Sequence, residues 1–351
     1  MSRRSLIGGM GAVPLAGLAW RQAEAQTAPT RKWSVPYGAA VRGGSLTEDA
    51  DYRATLAAYC DHLVSEGGLK WFDLRPTRDR FDFSEGDRYL AFARANGMTF
   101  RGHTLVWHGA LPPWAEAIDN AVVAEREMIR HIETVVGHYR GRIANWDVVN
   151  EAIADDPQTA PGLRDSLWLR RIGPRYVALA LRAAAQADPG AKLIINDYDI
   201  EFIGDRYKRK REAFLRLIRS LRADNVPLHG VGLQGHLSDN QIDQAGLTAF
   251  VNEIKAMGLE FMVTELDVVD NKMPGPPDMR DMVAAARVHD FLGAIFAAMK
   301  PSAVLTWGIT DKYSWVPIYF KRGDGLPNRP LPFDVQYKPK PMMQVIEHFC
   351  R

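Results

Sequence analysis

Short apolar runs of strand length alternate with longer stretches of helical period along most of this 351-residue chain. In the longer stretches, apolar residues recur every three or four positions, as they do on one face of a helix. Strands that alternate with helices favour a parallel sheet covered by helices, and eight such units can close into a barrel. We therefore predict an α/β fold, a (β/α)8 TIM barrel that forms a single domain over residues 36–351.

The ends of the predicted strands carry polar and aromatic side chains. The predicted strands are Tyr37–Val41, Leu63–Glu66, Phe100–Val106, Ile143–Asn150, Lys192–Asn196, Gly230–Gln234, Glu260–Thr264 and Ala303–Ile309. The clearest predicted helices are Ala121–Tyr139, Trp168–Ala187, Arg206–Arg222, Leu247–Met257, Met279–Met299 and Pro341–Cys350. In a barrel of this kind the C-terminal ends of the strands form the catalytic face. The polar strand ends are therefore the candidate functional residues.

Two of these strands lead directly into a glutamate. The segment Trp146–Glu151 (WDVVNE) is an apolar run that ends in Asn150 and Glu151, and Phe261–Asp267 (FMVTELD) leads in the same way to Glu265. Two carboxyl groups at the ends of separate strands are what the two-carboxylate hydrolysis of a glycosidic bond requires. We therefore take Glu151 and Glu265 as the candidate catalytic pair.

The first 25 residues have the pattern of an export signal. Ser2–Ile7 resembles a twin-arginine motif, an apolar stretch rich in Gly and Ala follows to Ala19, and Ala23–Ala25 offers a cleavage site between small residues. We expect residues 1–25 to be an export signal, residues 26–35 a polar leader, and the protein to be exported, either periplasmic or secreted. An ordinary secretory signal and a disordered tail are the alternatives.

The net charge argues against anionic partners. The full chain has 44 basic and 42 acidic residues, but removal of residues 1–25 leaves 41 of each. A neutral mature chain gives no electrostatic reason to bind nucleic acid or an anionic membrane. No apolar run is long enough to span a bilayer. We expect a monomer with no nucleic-acid and no membrane partner.

The chain has two cysteines, Cys60 and Cys350, which do not have the spacing of a zinc site. We place both at the C-terminal ends of helices, the first and the last of the barrel. Those helices are neighbours in a closed barrel, and a disulfide is compatible with export. One hypothesis is therefore a disulfide between Cys60 and Cys350; the alternative is two separate thiols.

Five motifs, in order along the chain, resemble glycoside hydrolase family 10, the endo-1,4-β-xylanases. One such motif would be weak evidence, whereas five in the family's order are strong. The histidine motif and the Gln-x-His motif separate this family from other barrel glycosidases that share only the two glutamates. The motifs are Gly102–His108 (GHTLVWH), Trp146–Glu151 (WDVVNE), Gly232–Leu237 (GLQGHL), Thr264–Asp267 (TELD) and Thr306–Asp311 (TWGITD).

The resemblance implies a retaining endo-1,4-β-xylanase that hydrolyses internal bonds of xylan or xylo-oligosaccharides. Glu151 would be the general acid and base, and Glu265 the nucleophile. Retention requires two carboxyl groups about 5–5.5 Å apart, one of which attacks while the other protonates the leaving oxygen. The negative charge of Glu265 is expected to keep Glu151 protonated until the covalent intermediate forms. The mechanism needs no metal and no organic cofactor.

The resemblance also assigns substrate contacts to the neighbours of the two glutamates. Asn150 would bind the sugar 2-hydroxyl, and His236, oriented by Asp267, would hold the Glu265 carboxylate. Lys70, His103 and Gln234 would contact hydroxyl groups of sugars on the non-reducing side. Trp107, Trp307 and Trp315 would form walls around the sugar at the cleavage site.

Two positions depart from the family pattern. Family members carry an asparagine where this chain has Gly67, in the run Glu66–Trp71 (EGGLKW), and a common glutamine after the histidine motif is Ala110 here. The asparagine binds the sugar one unit beyond the ring that is cleaved. We therefore expect this chain to bind xylo-oligosaccharides more weakly on the non-reducing side than its relatives do.

Two other functions remain as alternatives. The first is a different β-1,4-glycanase, acting on cellulose or mixed-linkage glucan. Glucose carries a hydroxymethyl group that xylose lacks, and the bulk of Trp307 and Trp315 beside that position favours xylose. The second is an inactive barrel that only binds carbohydrate, which the intact Glu151, Glu265, His236 and Asp267 disfavour.

Overall fold

The computed structural model describes residues 33–351. The predicted export signal therefore lies outside the described residues, as does the predicted leader except for residues 33–35. The strands are β1 Tyr37–Val41, β2 His62–Ser65, β3 Thr99–Val106, β4 Asn145–Asn150, β5 Lys192–Asp197, β6 Gly230–Leu233, β7 His236–Leu237, β8 Glu260–Val268 and β9 Val304–Thr306.

Eight of these strands form a closed parallel barrel. Strands β1 to β6 pair in chain order, β6 pairs with β8, β8 with β9, and β9 with β1. The two-residue strand β7 pairs only with the end of β8. The predicted (β/α)8 barrel is therefore confirmed.

Helices surround the barrel and fill the connections between its strands. They are α1 Gly43–Glu48, α2 Ala50–Tyr59, α3 Trp71–Leu74, α4 Ser84–Ala95, α5 Pro113–Glu116, α6 Ala121–His138, α7 Leu167–Ile172, α8 Tyr176–Ala187, α9 Asp205–Ala223, α10 Gln244–Ala256, α11 Pro277–Ala298, α12 Val316–Tyr319 and α13 Pro341–Cys350. A 3-10 helix covers Asp311–Tyr313.

The predicted helix Trp168–Ala187 is wrong as a single element. Helix α7 ends at Ile172 and is capped by Gly173, whose φ of 81° is a left-handed conformation that glycine adopts without a side-chain clash. Pro174 follows and cannot continue the hydrogen-bond ladder. Helix α8 therefore begins afresh at Tyr176. The break was not predicted because apolar residues recur with helical spacing on both sides of it.

Strand β8 is longer than predicted, and β7 was not predicted. The chain leaves the barrel after β6 through Gly235, which has a φ of 77°, and returns to pair with the extended end of β8. In this register His236 lies opposite Asp267. A strand of two residues has no periodicity of its own, and it exists here because β8 continues past Glu265.

Two apolar cores hold the site in place. The barrel interior is filled by side chains that include Ala40, Val64, Ile194, Met262 and Leu305. The larger core lies between the strands and the surrounding helices. The interior is thus packed, and the open space for a ligand lies above it, at the C-terminal ends of the strands.

The two ends of the described chain meet at the N-terminal side of the barrel. The amide of Ser34 donates a hydrogen bond of 2.7 Å to the Cys350 carbonyl, and the indole of Trp33 donates to the Tyr59 carbonyl. Cys60 and Cys350 are both buried here, and the structure does not join them in a disulfide. Burial raises the pKa of the Cys350 thiol to about 12. The structure therefore does not support the disulfide hypothesis.

Candidate active site

A cleft of about 650 Å³ opens at the C-terminal end of the barrel. All ten side chains predicted to be catalytic or to bind substrate line it: Lys70, His103, Trp107, Asn150, Glu151, Gln234, His236, Glu265, Trp307 and Trp315. Seven further residues that were not predicted for the site also line it: Glu66, Tyr198, Asp199, Ser238, Val269, Tyr319 and Phe320. The strand ends are therefore brought together as the barrel fold requires.

Glu151 stands directly after β4 in a left-handed backbone conformation. Its φ is 58°, which is uncommon for a residue with a side chain and is found most often at functional sites. Trp107 Nε1 donates a hydrogen bond of 2.8 Å to Glu151 Oε2. Asn150 Nδ2 and Gln234 Nε2 donate to Oε1 at 3.1 and 3.0 Å. Three side chains thus fix the direction of this carboxyl group.

Glu265 lies within β8 and is only 4% exposed. Asn196 Nδ2 donates a hydrogen bond of 2.8 Å to Oε1, and His236 Nε2 lies 3.3 Å from Oε2. Burial would raise the pKa of Glu265, but the hydrogen bond from His236 and the charges of nearby basic side chains hold it below its ordinary value. The carboxylate is therefore ionised and held at both oxygens.

His236 is held between two carboxylates. Its Nδ1 lies 2.9 Å from Asp267 Oδ1, on the side away from Glu265. Trp315 Nε1 donates a hydrogen bond of 2.6 Å to the other oxygen of Asp267. Burial alone would lower the pKa of His236, but the charges and hydrogen bonds of Asp267 and Glu265 raise it well above its ordinary value. The imidazole is thus a cation that donates to both neighbours.

Asn196, at the end of β5, connects the two glutamates; the sequence identified it as a polar strand end but assigned it no role. Its Nδ2 donates both to Glu265 Oε1 and to Asn150 Oδ1, at 2.8 and 2.9 Å. The side-chain oxygen of Asn196, Oδ1, accepts a hydrogen bond from the Thr264 hydroxyl, which fixes the orientation of the side-chain amide. The sequence signal was present, since a polar residue ends a buried strand, but no motif marked it.

His103 is supported from beneath by a buried ion pair. Its Nδ1 lies 2.9 Å from Asp147 Oδ2, and Asp147 also pairs with the Arg101 guanidinium inside the barrel. All three side chains are at most 2% exposed. The same Nδ1 lies 4.0 Å from Glu265 Oε1. The arrangement fixes the imidazole ring on the side of the cleft where Glu265 lies.

Lys70 lies between two of the predicted tryptophan walls. Its Nζ is 4.7 Å from the ring centroid of Trp107 and 5.5 Å from that of Trp307. These distances are those of cation–π contacts. The Trp168 indole donates to the Trp107 carbonyl at 2.8 Å, which ties that wall to α7. The cleft floor therefore has an ammonium group flanked by aromatic faces.

The cleft contains carboxylates, but no metal site is built from them. No group of three or more His, Cys, Asp or Glu side chains that could hold a metal ion occurs among residues 33–351. Within the same part of the chain, no helix combines the length and the apolar character that crossing a membrane requires.

Comparison with known proteins assigns the family. The family model of Glycosyl hydrolase family 10 matches residues 26–348. The chain belongs to glycosyl hydrolase family 10. Among relatives of this family, the endo-1,4-beta-xylanase B of Thermotoga neapolitana is 37% identical over 304 residues, which cover 85% of this chain and 82% of that protein.

One relative of this chain is a much longer protein. The protein named Exoglucanase XynX of Acetivibrio thermocellus is 34% identical over 87% of this chain, but this match spans only 28% of its length. The chain thus corresponds to less than a third of the length of that relative. The crystal structure of native xylanase 10B from Thermotoga maritima matches with a TM-score of 0.80 at 33% identity, covering 90% of this chain and 94% of that chain.

Both departures from the family 10 pattern are close in sequence to residues that line the cleft, Gly67 next to Glu66 and Ala110 three residues after Trp107. If residue 67 had a side chain, its Cβ would lie 3.2 Å from Asp73 Oδ2. The Asp73 carboxylate would therefore crowd an asparagine at this position. Ala110 has a left-handed φ of 49°, and its carbonyl accepts a hydrogen bond from the Phe72 amide. Neither departure alters the contacts of Glu151 or Glu265.

Proposed function

We propose that this protein is a retaining endo-1,4-β-xylanase that hydrolyses internal bonds of xylan. The observation that carries the proposal is the placement of Glu151 and Glu265 in one cleft, joined through the amides of Asn150 and Asn196. Several relatives of the family are named endo-1,4-beta-xylanases, and one similar structure, from Thermotoga petrophila, is described in complex with xylobiose. We infer xylan or xylo-oligosaccharides as the substrate on this basis.

In the first step, Glu265 attacks the anomeric carbon of the bound sugar. The ionised carboxylate forms a bond to that carbon as the bond to the leaving oxygen breaks, and Glu151 gives its proton to this oxygen. Asn196 and His236 hold the attacking group in position at its two oxygens. A preorganised nucleophile lowers the barrier because little ordering remains to be done in the transition state.

In the second step, water replaces Glu265 at the anomeric carbon. Glu151, now ionised, takes a proton from the water as its oxygen attacks, and the Glu265 carboxylate leaves. The donors on both oxygens of Glu151, Trp107 on one and two amides on the other, hold its carboxyl group in position for this proton transfer. Two displacements at one carbon retain its configuration.

Other side chains of the cleft have proposed roles in binding. His236, held by Asp267, positions the nucleophile, and Lys70, His103 and Gln234 contact sugar hydroxyl groups. Trp107, Trp307 and Trp315 enclose the sugar at the cleavage site. Each of these residues lines the cleft or, in the case of Asp267, contacts a residue that does.

We also propose that the protein acts outside the cytoplasm as a monomer. The support for export is the sequence of residues 1–25, with its arginine pair, apolar stretch and small-residue cleavage site. Mass spectrometry of the mature protein purified from its own host tests this, since export predicts an N-terminus at Gln26.

The substrate is tested by measuring reducing ends released from unsubstituted xylan and from carboxymethyl-cellulose. The cellulose arm matters because one relative is named an exoglucanase. Activity on xylan that is lost in Glu265→Ala supports the proposal. Activity on cellulose instead would agree with the proposed catalytic pair but contradict xylan as the substrate. Binding of xylan without hydrolysis would favour the alternative of an inactive barrel that only binds carbohydrate.

A further inference from the structure

The cleft continues past Trp315 onto two aromatic side chains that the catalytic steps do not use. Tyr319 and Phe320 both line the cleft, and their ring centroids lie 5.6 and 5.5 Å from that of Trp315. Tyr319 is 72% exposed and Phe320 is 37% exposed. Trp315, Tyr319 and Phe320 thus form a group of neighbouring aromatic rings on the wall of the cleft.

The turn that presents these rings is held firmly. The Phe320 amide donates to the Val316 carbonyl at 2.7 Å, and the Phe320 carbonyl accepts from Asn328 Nδ2 at 3.2 Å. The same Asn328 amide donates to Asp270 Oδ1 at 2.8 Å. Asp270 is 1% exposed and is also paired with Arg280 at 2.5 Å. A buried polar network therefore supports the exposed rings from behind.

Exposed aromatic rings on a fixed support indicate a binding surface. Exposure of an aromatic ring to water does not stabilise the fold. Clusters of exposed apolar side chains often mark ligand-binding sites. The axial C–H faces of a pyranose ring are apolar, and such a face packs well against an aromatic ring. Continuity with the cleft points to the same polysaccharide that enters it.

We propose that Tyr319 and Phe320 form an outer sugar-binding platform, which contacts a sugar ring of the xylan chain beyond those next to the scissile bond. This inference rests on the proposed function, because it takes its ligand from the substrate of the same cleft. The contact is made by the ring faces and does not need the tyrosine hydroxyl group. Chains long enough to reach the platform bind more tightly, whereas short chains gain nothing from it.

Binding in the absence of turnover tests the platform. In the Glu265→Ala protein, calorimetric titration gives the Kd for xylotriose and for xylohexaose, with and without Tyr319→Ala. We expect Tyr319→Ala to weaken xylohexaose binding about threefold to tenfold and to leave xylotriose unchanged. Tyr319→Phe should restore the affinity for xylohexaose, since it keeps the aromatic face.

Ile318→Ala is the matched control. Ile318 is 59% exposed on the same short helix but does not line the cleft, so its truncation should change neither affinity. If Tyr319→Ala behaves like Ile318→Ala with xylohexaose, or weakens both oligosaccharides equally, the outer platform is overturned while the proposed function stands. If Glu265→Ala without any other change binds neither oligosaccharide, the proposed function itself fails, and this inference fails with it.

Discussion

His236 Nε2 lies 3.3 Å from Glu265 Oε2, and the imidazole is held in that position by Asp267 on its other side. A buried carboxylate beside a cation stays ionised at lower pH than it would alone. This contact therefore helps to set the acidic limit of the proposed reaction, because the nucleophile attacks only in its ionised form.

Replacement of His236 should shift the pH profile of the enzyme. In His236→Gln the cation is lost while Glu265 remains buried, so the pKa of Glu265 rises. The acidic limb of kcat/KM should then move upward by about one pH unit or more. Profiles on xylan for the wild type and for His289→Gln, an exposed histidine of α11, provide the comparison. An unmoved limb in His236→Gln would show that this histidine does not control the nucleophile.

Variants of the two glutamates should respond differently to the leaving group. Glu265→Gln should lose activity on every substrate, because no nucleophile remains. Glu151→Gln should lose about 10²- to 10⁴-fold on xylan, but far less on an aryl xylobioside with a dinitrophenolate leaving group, which departs without a proton. The kcat/KM on both substrates measures this, because it reports the first step alone, whereas the kcat of Glu151→Gln stays low on either substrate because the second step still lacks its base. Equal losses in Glu151→Gln would remove its assignment as the acid.

Replacement of Asn196 should slow the reaction without abolishing it. Asn196→Ala removes a hydrogen bond to the ionised Glu265, and such bonds contribute about 1.5–3 kcal/mol. We expect kcat/KM to fall about tenfold to hundredfold. Asn196→Asp is nearly the same shape but places a second negative charge beside Glu265, so it should in addition move the acidic limb upward. Wild-type kinetics in either variant would contradict the proposed role.

An asparagine at Gly67 should strengthen binding on the non-reducing side. The new Cβ would lie 3.2 Å from Asp73 Oδ2, which belongs to an exposed side chain that can turn away. Gly67→Asn should therefore raise kcat/KM on short xylo-oligosaccharides. The double variant Gly67→Asn/Asp73→Ala, which removes the crowding, is the control for a failed fit. No gain in either protein would count against the expected weak subsite.

Glu127, far from the chemistry, should control acid stability. Arg75 and Arg78 donate to its two oxygens at 2.5 and 2.8 Å, and Arg75 is fully buried. Burial would raise the pKa of Glu127, but these hydrogen bonds lower it to about 2. Glu127→Gln should lower the free energy of unfolding by about 3–5 kcal/mol at neutral pH, because it leaves a buried cation without its partner.

The pH dependence of this loss has a definite sign. The depressed pKa of Glu127 stabilises the fold above its unfolded value of about 4.3, and this stabilisation is lost as the pH falls toward about 2. The wild type and Glu127→Gln should therefore converge at low pH. Urea unfolding across this range measures it, with Glu133→Gln on the exposed side of α6 as the control. A constant difference at all pH values would contradict the account.

Strand ends explain why the catalytic pair could be predicted from sequence. In a parallel barrel every strand delivers its last residues to the same face, so that Glu151 and Glu265 had to meet once the strands were recognised. The same rule placed Gln234, the last residue of a predicted strand, in the cleft, and this needed only the strand assignment, which apolar runs define well. His103 stands in the middle of β3, and its contact was assigned from the family resemblance.

The residues that were missed depend on contacts between distant segments. Asn196 gains its place through Glu265 and Asn150, which are distant in sequence. The short strand β7 exists only as a partner of β8. Tyr319 and Phe320 lie in a connection whose shape is set by Asn328. No local pattern encodes such contacts, so the sequence alone could not supply them.

Covalent trapping tests the central claim most directly. A xylobioside with fluorine beside the anomeric carbon and a dinitrophenolate leaving group should form the first intermediate quickly and release it slowly. Peptide mass mapping of the inactivated protein should then show one added disaccharide, on Glu265. Xylan hydrolysis by a protein that is never labelled, or a label on any other residue, would contradict a double displacement through Glu265.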